Sequence, residues 1–482
     1  MRDRALTVLP RRYGFGLILV AVLLMGGGPA HAQSGVRSVG AVSTGGGTSV
    51  LAMGPSALYA NPAALTVGPA DHRVEIQVMR TSLYGGGDLL QFNHYNDHFT
   101  QGKTLDRAEV NSILRDWFNG GMRSVAVYAE LVPLAVTLRP PDAQWAAGLG
   151  IRTRLFDKTT VNRGLADLYL TGTSTNRSVP VDGRYRLYST LDITGSVSYR
   201  FSSLPLSIGV SPRLIVGTGY ADGTLDSRVT VSDSTIVHTF DYAARAAGVA
   251  STELYDRFNA FGDELLSGTA AGASGVSGVG GGVDVGATYS LRSTLHVSAS
   301  VTDLGRIRWT KDSQTVTPET NTFRFDGFAL DLQRLDEEFG GDTGEYLTHQ
   351  LDSLAREVYQ DVERERSSFS TGLPTTLHVS STWAPMGAVT LNGGVSVGLN
   401  EKAGAVPDPA AVHLGGEFDL GPVPVRLGAR AWGTQAVTLS GGVGLDLGVY
   451  RLDLGASITP RTSTLGEGAR YAVGLSLGTI RL

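Results

Sequence analysis

His94 and His98 are the one closely spaced histidine pair of the chain, within Phe92-Asn93-His94-Tyr95-Asn96-Asp97-His98. On a helix, a spacing of four would put both imidazoles on one face as ligands for a single metal ion. Asn93, Asn96 and Asp97 favour a loop instead, and no third ligand is evident, so the segment reads as a polar surface loop. The chain has no Cys, which excludes thiolate-bound metals, thiol nucleophiles and disulfides. Ser, His and Asp are all available for a nucleophilic triad, yet no Gly-x-Ser-x-Gly elbow occurs in a strand-turn-helix setting. Gly278 to Gly282 has the glycine content of a phosphate-cradling loop, but no Lys-Ser/Thr follows and the segment opens a strand, where glycine marks a bend or close approach. These residues predict neither an enzyme nor a metal or cofactor site.

The remaining chemistry is charge held at alternate positions. Arg152, Arg154, Arg184, Arg186, Asp192, Arg426, Arg430, Asp446 and Asp453 each fall on the polar face of a segment whose other face is apolar. Arginines and aspartates in one wall ordinarily pair with each other; lining a bore, they would also tune the path of a solute.

The elements that hold them are strands. Val443, Leu445, Leu447 and Val449 alternate with Gly444, Asp446, Gly448 and Tyr450. Leu452, Leu454, Ala456 and Ile458 alternate with Arg451, Asp453, Gly455 and Ser457. Tyr185, Leu187, Leu191, Ile193, Val197 and Tyr199 share one face of residues 183–201, opposite Arg184, Arg186, Thr190, Asp192, Ser196 and Arg200. Period two gives each strand an oily and a wet face. A soluble sandwich would turn the wet face outward, whereas a membrane barrel turns it to the lumen. The oily faces are nearly free of charge, as expected if a mid-bilayer charge costs ~2–4 kcal/mol there. The expected fold is therefore all-β: a transmembrane antiparallel up-and-down barrel of about fourteen strands, with an N-terminal plug and short helices in the extracellular loops.

Residues 1–32 read as a signal peptide, with Arg2, Arg4, Arg11 and Arg12 before an apolar run and Ala30-His31-Ala32 at the cleavage point. This implies export to the bacterial outer membrane, with its lipid as the surrounding partner. Residues 33–73 are small, neutral and not strand-like, a composition suited to a plug, and residues 74–482 form the barrel. The largest extracellular excursions are 84–121, 221–275 and 310–373. Helices are expected at Leu105 to Phe118 with Thr104 as cap, near Glu253 to Leu266, and at roughly Glu345 to Arg366. Short connections near Pro140, Ser203, Ser293, Met386, Pro422 and Tyr450 alternate with long ones, the asymmetry of periplasmic turns and external loops. A net charge of −5 gives no argument for a nucleic-acid partner.

Asn61-Pro62-Ala63, after a signal peptide and a Gly/Ala/Ser-rich lead-in, resembles the plug motif of the fatty-acid transporter (FadL) superfamily. That resemblance implies a fourteen-stranded barrel passing small hydrophobic solutes, which leave sideways near a kinked strand. Gly148 and Gly150 are the candidates for such a kink. Asp303-Leu304-Gly305-Arg306-Ile307-Arg308-Trp309 and Gly372-Leu373-Pro374-Thr375-Thr376-Leu377 resemble an uncharacterised outer-membrane barrel family that spans the mature chain and has no assigned activity. The related PorV-type barrels imply an alternative, a non-transporting barrel whose partner is a secretion or surface protein.

Overall fold

The computed structural model describes residues 38–46, 54–67, 73–89, 105–119, 121–171, 177–232, 235–248, 275–325, 332–340, 342, 343, 346, 349, 362–399, 410–431, 437–460 and 470–482. Fourteen spanning strands follow one another: β1 (Val74–Gly86), β2 (Arg123–Leu138), β3 (Trp145–Val161), β4 (Gly183–Arg200), β5 (Leu206–Val231), β6 (Gly278–Arg292) and β7 (Leu295–Trp309). The second half contributes β8 (Thr376–Met386), β9 (Val389–Gly398), β10 (Ala410–Leu420), β11 (Val423–Ala431), β12 (Thr438–Asp446), β13 (Tyr450–Thr459) and β14 (Arg470–Arg481). Each pairs antiparallel with the next. β14 then pairs with β1, from Glu75↔Arg481 to Gly86↔Arg470, and closes the ring. Closure pairs each of the fourteen described spanning strands on both sides, the condition for a sheet to sit in lipid. No described helix is long and apolar enough to cross a membrane.

The two faces separate as the alternation requires. Leu149, Val197, Leu414 and Leu427 are 54–68% exposed on the outside, while Arg152, Thr190, Asp192 and Thr194 on the same sheet are 0% exposed. An apolar exterior around a polar interior is the membrane arrangement, not the soluble one.

Several elements differ from the sequence expectation. The helix in the first excursion is Arg107–Phe118, and its cap is Asp106, not Thr104: Asp106 accepts from the Glu109 N–H while Glu109 accepts from the Asp106 N–H, a complete capping box. A second helix, Arg163–Thr171, occupies what reads as loop, and Leu170 and Ala166 pack with Ile113 and Leu114 of the first. β5 does not stop at Tyr220 but continues to Val231, because its hairpin partner Ile236–Ala247 extends the ladder from Tyr220↔Ala247 to Val231↔Ile236. Within the predicted helix at Glu345 to Arg366, Val362–Glu365 is a strand paired with Gln314–Pro318, and an unpredicted helix lies at Leu332–Phe339. Residues 1–37, the expected helix at Glu253 to Leu266, and His94 and His98 lie outside the described residues.

The wall is not uniform. Along β1 Gln77 is buried, Val78 and Met79 are both exposed, and Arg80 is buried again, so inward and outward exchange places at Met79, whose φ is +50°. The β2–β3 register shifts between Leu131 and Leu134, with Val132 and Ala135 both buried. The β13–β14 register shifts between Arg451 and Asp453. On β7 both Thr302 and Asp303 are buried, Asp303 has φ +61°, and the β6–β7 register shifts beside them. The three register shifts are bulges, in which one extra residue re-aims the side chains beyond it; β1 changes face at Met79 in constant register with β2 and β14.

Candidate functional site

The bore is built in layers, beginning with the plug. Its first piece is a short helix, Val39–Ser43, with Ser38 capping the Ala41 N–H at 3.0 Å. The next two are short 3-10 segments, Gly54–Tyr59 and Pro62–Thr66. Asn61 caps the second: its Oδ1 accepts from the Ala63 N–H at 3.1 Å and its Nδ2 donates to Thr288 Oγ1 of β6 at 3.2 Å. Pro62 occupies the first helical position, where a missing N–H costs nothing. Asn61 and Ala63 are fully buried and Pro62 is buried. Ser300 Oγ donates to the Ala60 carbonyl at 2.9 Å, and Thr66 and Ser198 hydroxyls meet at 3.0 Å.

The wall makes room for this segment by omitting side chains. A Cβ on Gly209 would overlap the Pro62–Ala63 peptide, one on Gly286 the Asn61 side chain, and one on Gly455 the Ser43 hydroxyl. A Cβ on Gly428 would lie 2.6 Å from Thr44 Cα. Gly148 and Gly150 belong to the same set: Leu58 Cδ1 would be 2.9 Å from a Cβ on Gly148, and the Tyr59 hydroxyl would overlap one on Gly150. The ladder runs unbroken through both glycines, Gly148↔Ser196 and Gly150↔Thr194. Their missing Cβ atoms make room for Leu58 and Tyr59, and wall irregularities lie nearby, at Met79 of β1 and between Leu131 and Leu134 of β2.

Against the plug lies a belt of buried charge spread over seven consecutive strands. Arg80 Nη2 bonds Glu130 Oε1 at 2.8 Å, and Arg152 reaches Glu130 at 3.5 Å. Asp192 Oδ2 sits at 2.7 Å from Arg152, 2.8 Å from Arg154 and 3.5 Å from Arg213. Arg154 and Arg213 both hold Asp303 Oδ1, at 2.8 and 2.9 Å, and Arg213 holds Asp284 at 2.7 Å. Asp284 in turn accepts from the Asp303 N–H at 2.6 Å, which fixes the bulge. Four arginines face four carboxylates, so the belt is neutral, and none of these side chains is more than 5% exposed. Tyr59 of the plug lies flat against it, with Arg152 and Arg80 guanidiniums 4.8 and 5.4 Å from the ring centre, a double cation–π contact. Arg80 also donates to Ser56 Oγ at 3.2 Å, tying plug to wall directly behind Met79.

On the opposite side of the belt the bore turns apolar. Tyr84, Tyr128, Phe156, Tyr188, Tyr220 and Trp309 project inward from β1 to β5 and β7, with Ile215, Ile307 and Leu373 among them and Val42 of the plug helix packed into the same cluster. Tyr220 and Trp309 rings lie 5.3 Å apart, and Trp309 Nε1 donates to Thr371 Oγ1 at 2.8 Å. Beyond this layer is a charged mouth.

The nine charges singled out from sequence thus separate. Arg152, Arg154 and Asp192 meet in the belt; Arg184 and Arg186 sit at the mouth, 3.6 and 3.3 Å from Asp222. Arg426, Asp446 and Asp453 form a second cluster near the short turns, where Arg426 bonds Asp453 at 2.7 Å and also Glu417, and Arg481 bonds Asp446 at 2.8 Å. Arg430 is buried beside His413 on the neighbouring strand. The belt members missed from sequence are Arg80, Glu130, Arg213, Asp284 and Asp303. Glu130, Arg213 and Asp284 obey the alternation, between Ala129 and Leu131, Pro212 and Leu214, and Val283 and Val285. Arg80 and Asp303 do not, because the positive-φ Met79 and the bulge at Asp303 change which face their strands turn inward. Outside the membrane, burial pushes the His238 imidazole of the Ile236–Ala247 hairpin below its ordinary value. Among the described residues, no group of three His, Asp or Glu side chains is placed to hold a metal ion.

No curated protein matches this chain. Its barrel is similar in fold to the FadL-family outer-membrane transporters. The Ralstonia pickettii toluene transporter TbuX is 12% identical, with 93% of this chain and 99% of that one covered and a TM-score of 0.49. The P. putida toluene transporter TodX is 12% identical over 95% and 99%, TM-score 0.45. A Pseudomonas aeruginosa FadL homologue is 11% identical over 92% and 98%, TM-score 0.45. A family model matches residues 72–404, from just before β1 to beyond β9 and so across the whole belt. The chain accordingly belongs to the family of unknown function DUF5723.

Proposed function

We propose that this protein is exported to the bacterial outer membrane and passes small hydrophobic solutes across it passively. The observation that carries the reading is the layering of the bore. A solute entering from the long-loop end meets an aromatic layer in an otherwise polar lumen. Next along the β1–β7 wall comes a dry, neutral charge belt against which Tyr59 of the plug packs. At that height the wall is irregular and greasy: Val78, Met79, Leu134 and Leu477 are 38–45% exposed, Pro133 on β2 can donate no ladder hydrogen bond, and β1 inverts at Met79. In this reading a solute that partitions into lipid leaves sideways there, and ions and sugars are excluded.

The test uses proteoliposomes and a small apolar fluorescent probe, with a sugar of similar size as the polar comparison. Val78 and Leu134 are register partners, and the chain has no Cys, so V78C/L134C introduces one defined cross-link across the seam. Flux of the apolar probe is expected to exceed that of empty liposomes, to fall on oxidation of the double variant and to recover on reduction. Probe flux equal to that of empty liposomes ends the idea.

A second reading is a non-transporting barrel that docks a secretion or surface protein. What favours it is the sheet that stands above the rim: β5 runs 26 residues, ~85 Å at ~3.3 Å per residue, against an apolar band ~25 Å tall. Arg177–Pro180, Ile236–Ala247, Thr322–Phe325, Gln314–Pro318 and Val362–Glu365 widen it. Capture of one defined partner that is lost on deleting residues 310–373 would favour this reading.

A further inference from the structure

Arg306 and Arg308 break the rule that keeps charge off the outer face. Beyond the Asp303 bulge, Leu304, Arg306 and Arg308 are exposed while Ile307 and Trp309 are fully buried, so both guanidiniums point away from the bore. On that outer face Arg306 stands between two glycines, Gly281 on β6 and Gly372 on the rim strand Phe369–Gly372, and Arg308 between Val279 and Ser370. Bare backbone on either side opens a groove of about 430 Å³ lined by Val279, Gly280, Gly281, Arg306, Arg308 and Ser370. Among the described residues the Arg306 side chain has no ion-pair or hydrogen-bond partner, and Arg308 has one weak contact, to Ser368 Oγ at 3.4 Å. Below the pair the wall is oily: Leu304, Val285, Val297 and Leu214 are 37–52% exposed.

The height of the pair gives this arrangement a meaning. Arg306 lies eleven residues along β7 from Leu295 at the short-turn rim, which is ~28 Å along the membrane normal at ~3.3 Å per residue and ~40° tilt. The apolar band is ~25 Å tall, so Arg306 stands just above its outer margin and Arg308 one step higher. Two guanidiniums with no carboxylate partner among the described residues, over an apolar slope, match an amphiphile with an anionic head. Guanidinium forks suit phosphate oxygens, and in a margin half out of water such charge-assisted bonds are strong.

The geometry points to a binding site for a phosphorylated lipid of the outer leaflet, its phosphate held by Arg306 and Arg308 in the glycine-floored groove and its acyl chains lying along Leu304, Val285 and Leu214. The site rests on the barrel alone, and its fate is independent of whether solutes pass through the bore.

Native mass spectrometry of the full-length protein in neutral detergent tests it. The probes are a multiply acylated disaccharide lipid carrying phosphate monoesters, the same lipid dephosphorylated, and inorganic phosphate as competitor. The wild type should retain the phosphorylated lipid, with R306Q/R308Q and the dephosphorylated lipid each weaker by about tenfold or more, the scale of one lost charge-assisted bond. R306K/R308K should fall between, and R292Q, at the opposite rim, should match the wild type. Equal retention by R306Q/R308Q, or equal binding of the dephosphorylated lipid by wild type, overturns the proposal. So does displacement by inorganic phosphate at the lipid's own concentration, which would mark a free-anion site. If R306Q/R308Q does not fold, judged by heat-modifiable mobility, the two lipids on wild type still decide.

Discussion

Asp192→Asn is the sharpest perturbation of the belt. Its Oδ2 is shared by Arg152, Arg154 and Arg213 at 2.7, 2.8 and 3.5 Å, and its side chain is 0% exposed. The amide keeps the shape and one acceptor but removes the charge, taking the belt from four against four to an excess of one positive charge. Each close pair is worth on the order of 4 kcal/mol of Coulomb attraction at an effective dielectric near 20, so three pairs sum to about 12 kcal/mol gross. Most of that is offset, because the carboxylate no longer has to be stripped of water, and removing one member of a buried pair costs about 3–5 kcal/mol in practice. Reversible urea unfolding of the refolded protein in detergent micelles reads this directly. Asp192→Asn should lose about 3–5 kcal/mol, and adding Arg213→Met, which restores neutrality, should recover part of it. The coupling energy of the double-variant cycle then isolates the pair. A loss below about 1 kcal/mol would mean that water reaches the guanidiniums, and the picture of a dry belt sealing the bore would be wrong.

Other expectations are independent of that one. Met79→Gly should stabilise the barrel by about 1 kcal/mol, since glycine adopts φ +50° without the Cβ clash; Met79→Ala should give no such gain in the same unfolding measurement. Gly428→Val should cost about 1–3 kcal/mol by overpacking against Thr44 and should make the 38–46 segment newly susceptible to added protease. Tyr59→Ala should cost about 3–5 kcal/mol as a buried aromatic truncation, whereas Tyr59→Phe keeps both cation–π contacts, drops a hydroxyl that makes no hydrogen bond, and should stay within about 0.5 kcal/mol of wild type. His238 has a folded-state pKa below its unfolded value. The opened hairpin therefore takes up the proton first, so hairpin stability is full above about pH 6.5 and declines as pH falls below it. Hydrogen exchange of residues 236–247 at pH 7.5 and 5 should show that loss in the wild type and not in His238→Phe.

Alternation along the strands was enough to specify an all-β membrane barrel, since lipid outside and polar groups inside demand opposite chemistry on faces that switch at every residue. The short-turn positions were equally legible, because Pro140, Ser203 and Pro422 interrupt otherwise continuous strands. Asn61-Pro62-Ala63 was legible as a plug motif by resemblance, and its chemistry as a cap agrees with residue type: Asn61 accepts from the N–H two residues on, and Pro62 fits the first helical position. What Gly148 and Gly150 do was not readable, because an omitted Cβ looks the same in sequence whether a strand bends there or a plug packs there.

The charge belt shows most plainly where strand-by-strand reading ends. Counting by twos along Val74, Ile76 and Val78 places Arg80 in lipid, and counting along Val297, Ala299 and Val301 places Asp303 there too. Both face the bore because Met79 and Asp303 take a left-handed backbone: beside Asp303 the register shifts by one residue, while at Met79 the face changes with the register to both neighbours kept. The sequence by itself determined which residues are oily and which are charged, and so the kind of wall they build. Only the closed tertiary structure decided where that wall inverts, because each inversion is held by partners far away in sequence: Arg213 holding Asp284 and Asp303 together, and Glu130 bonding Arg80. No local pattern contains those contacts.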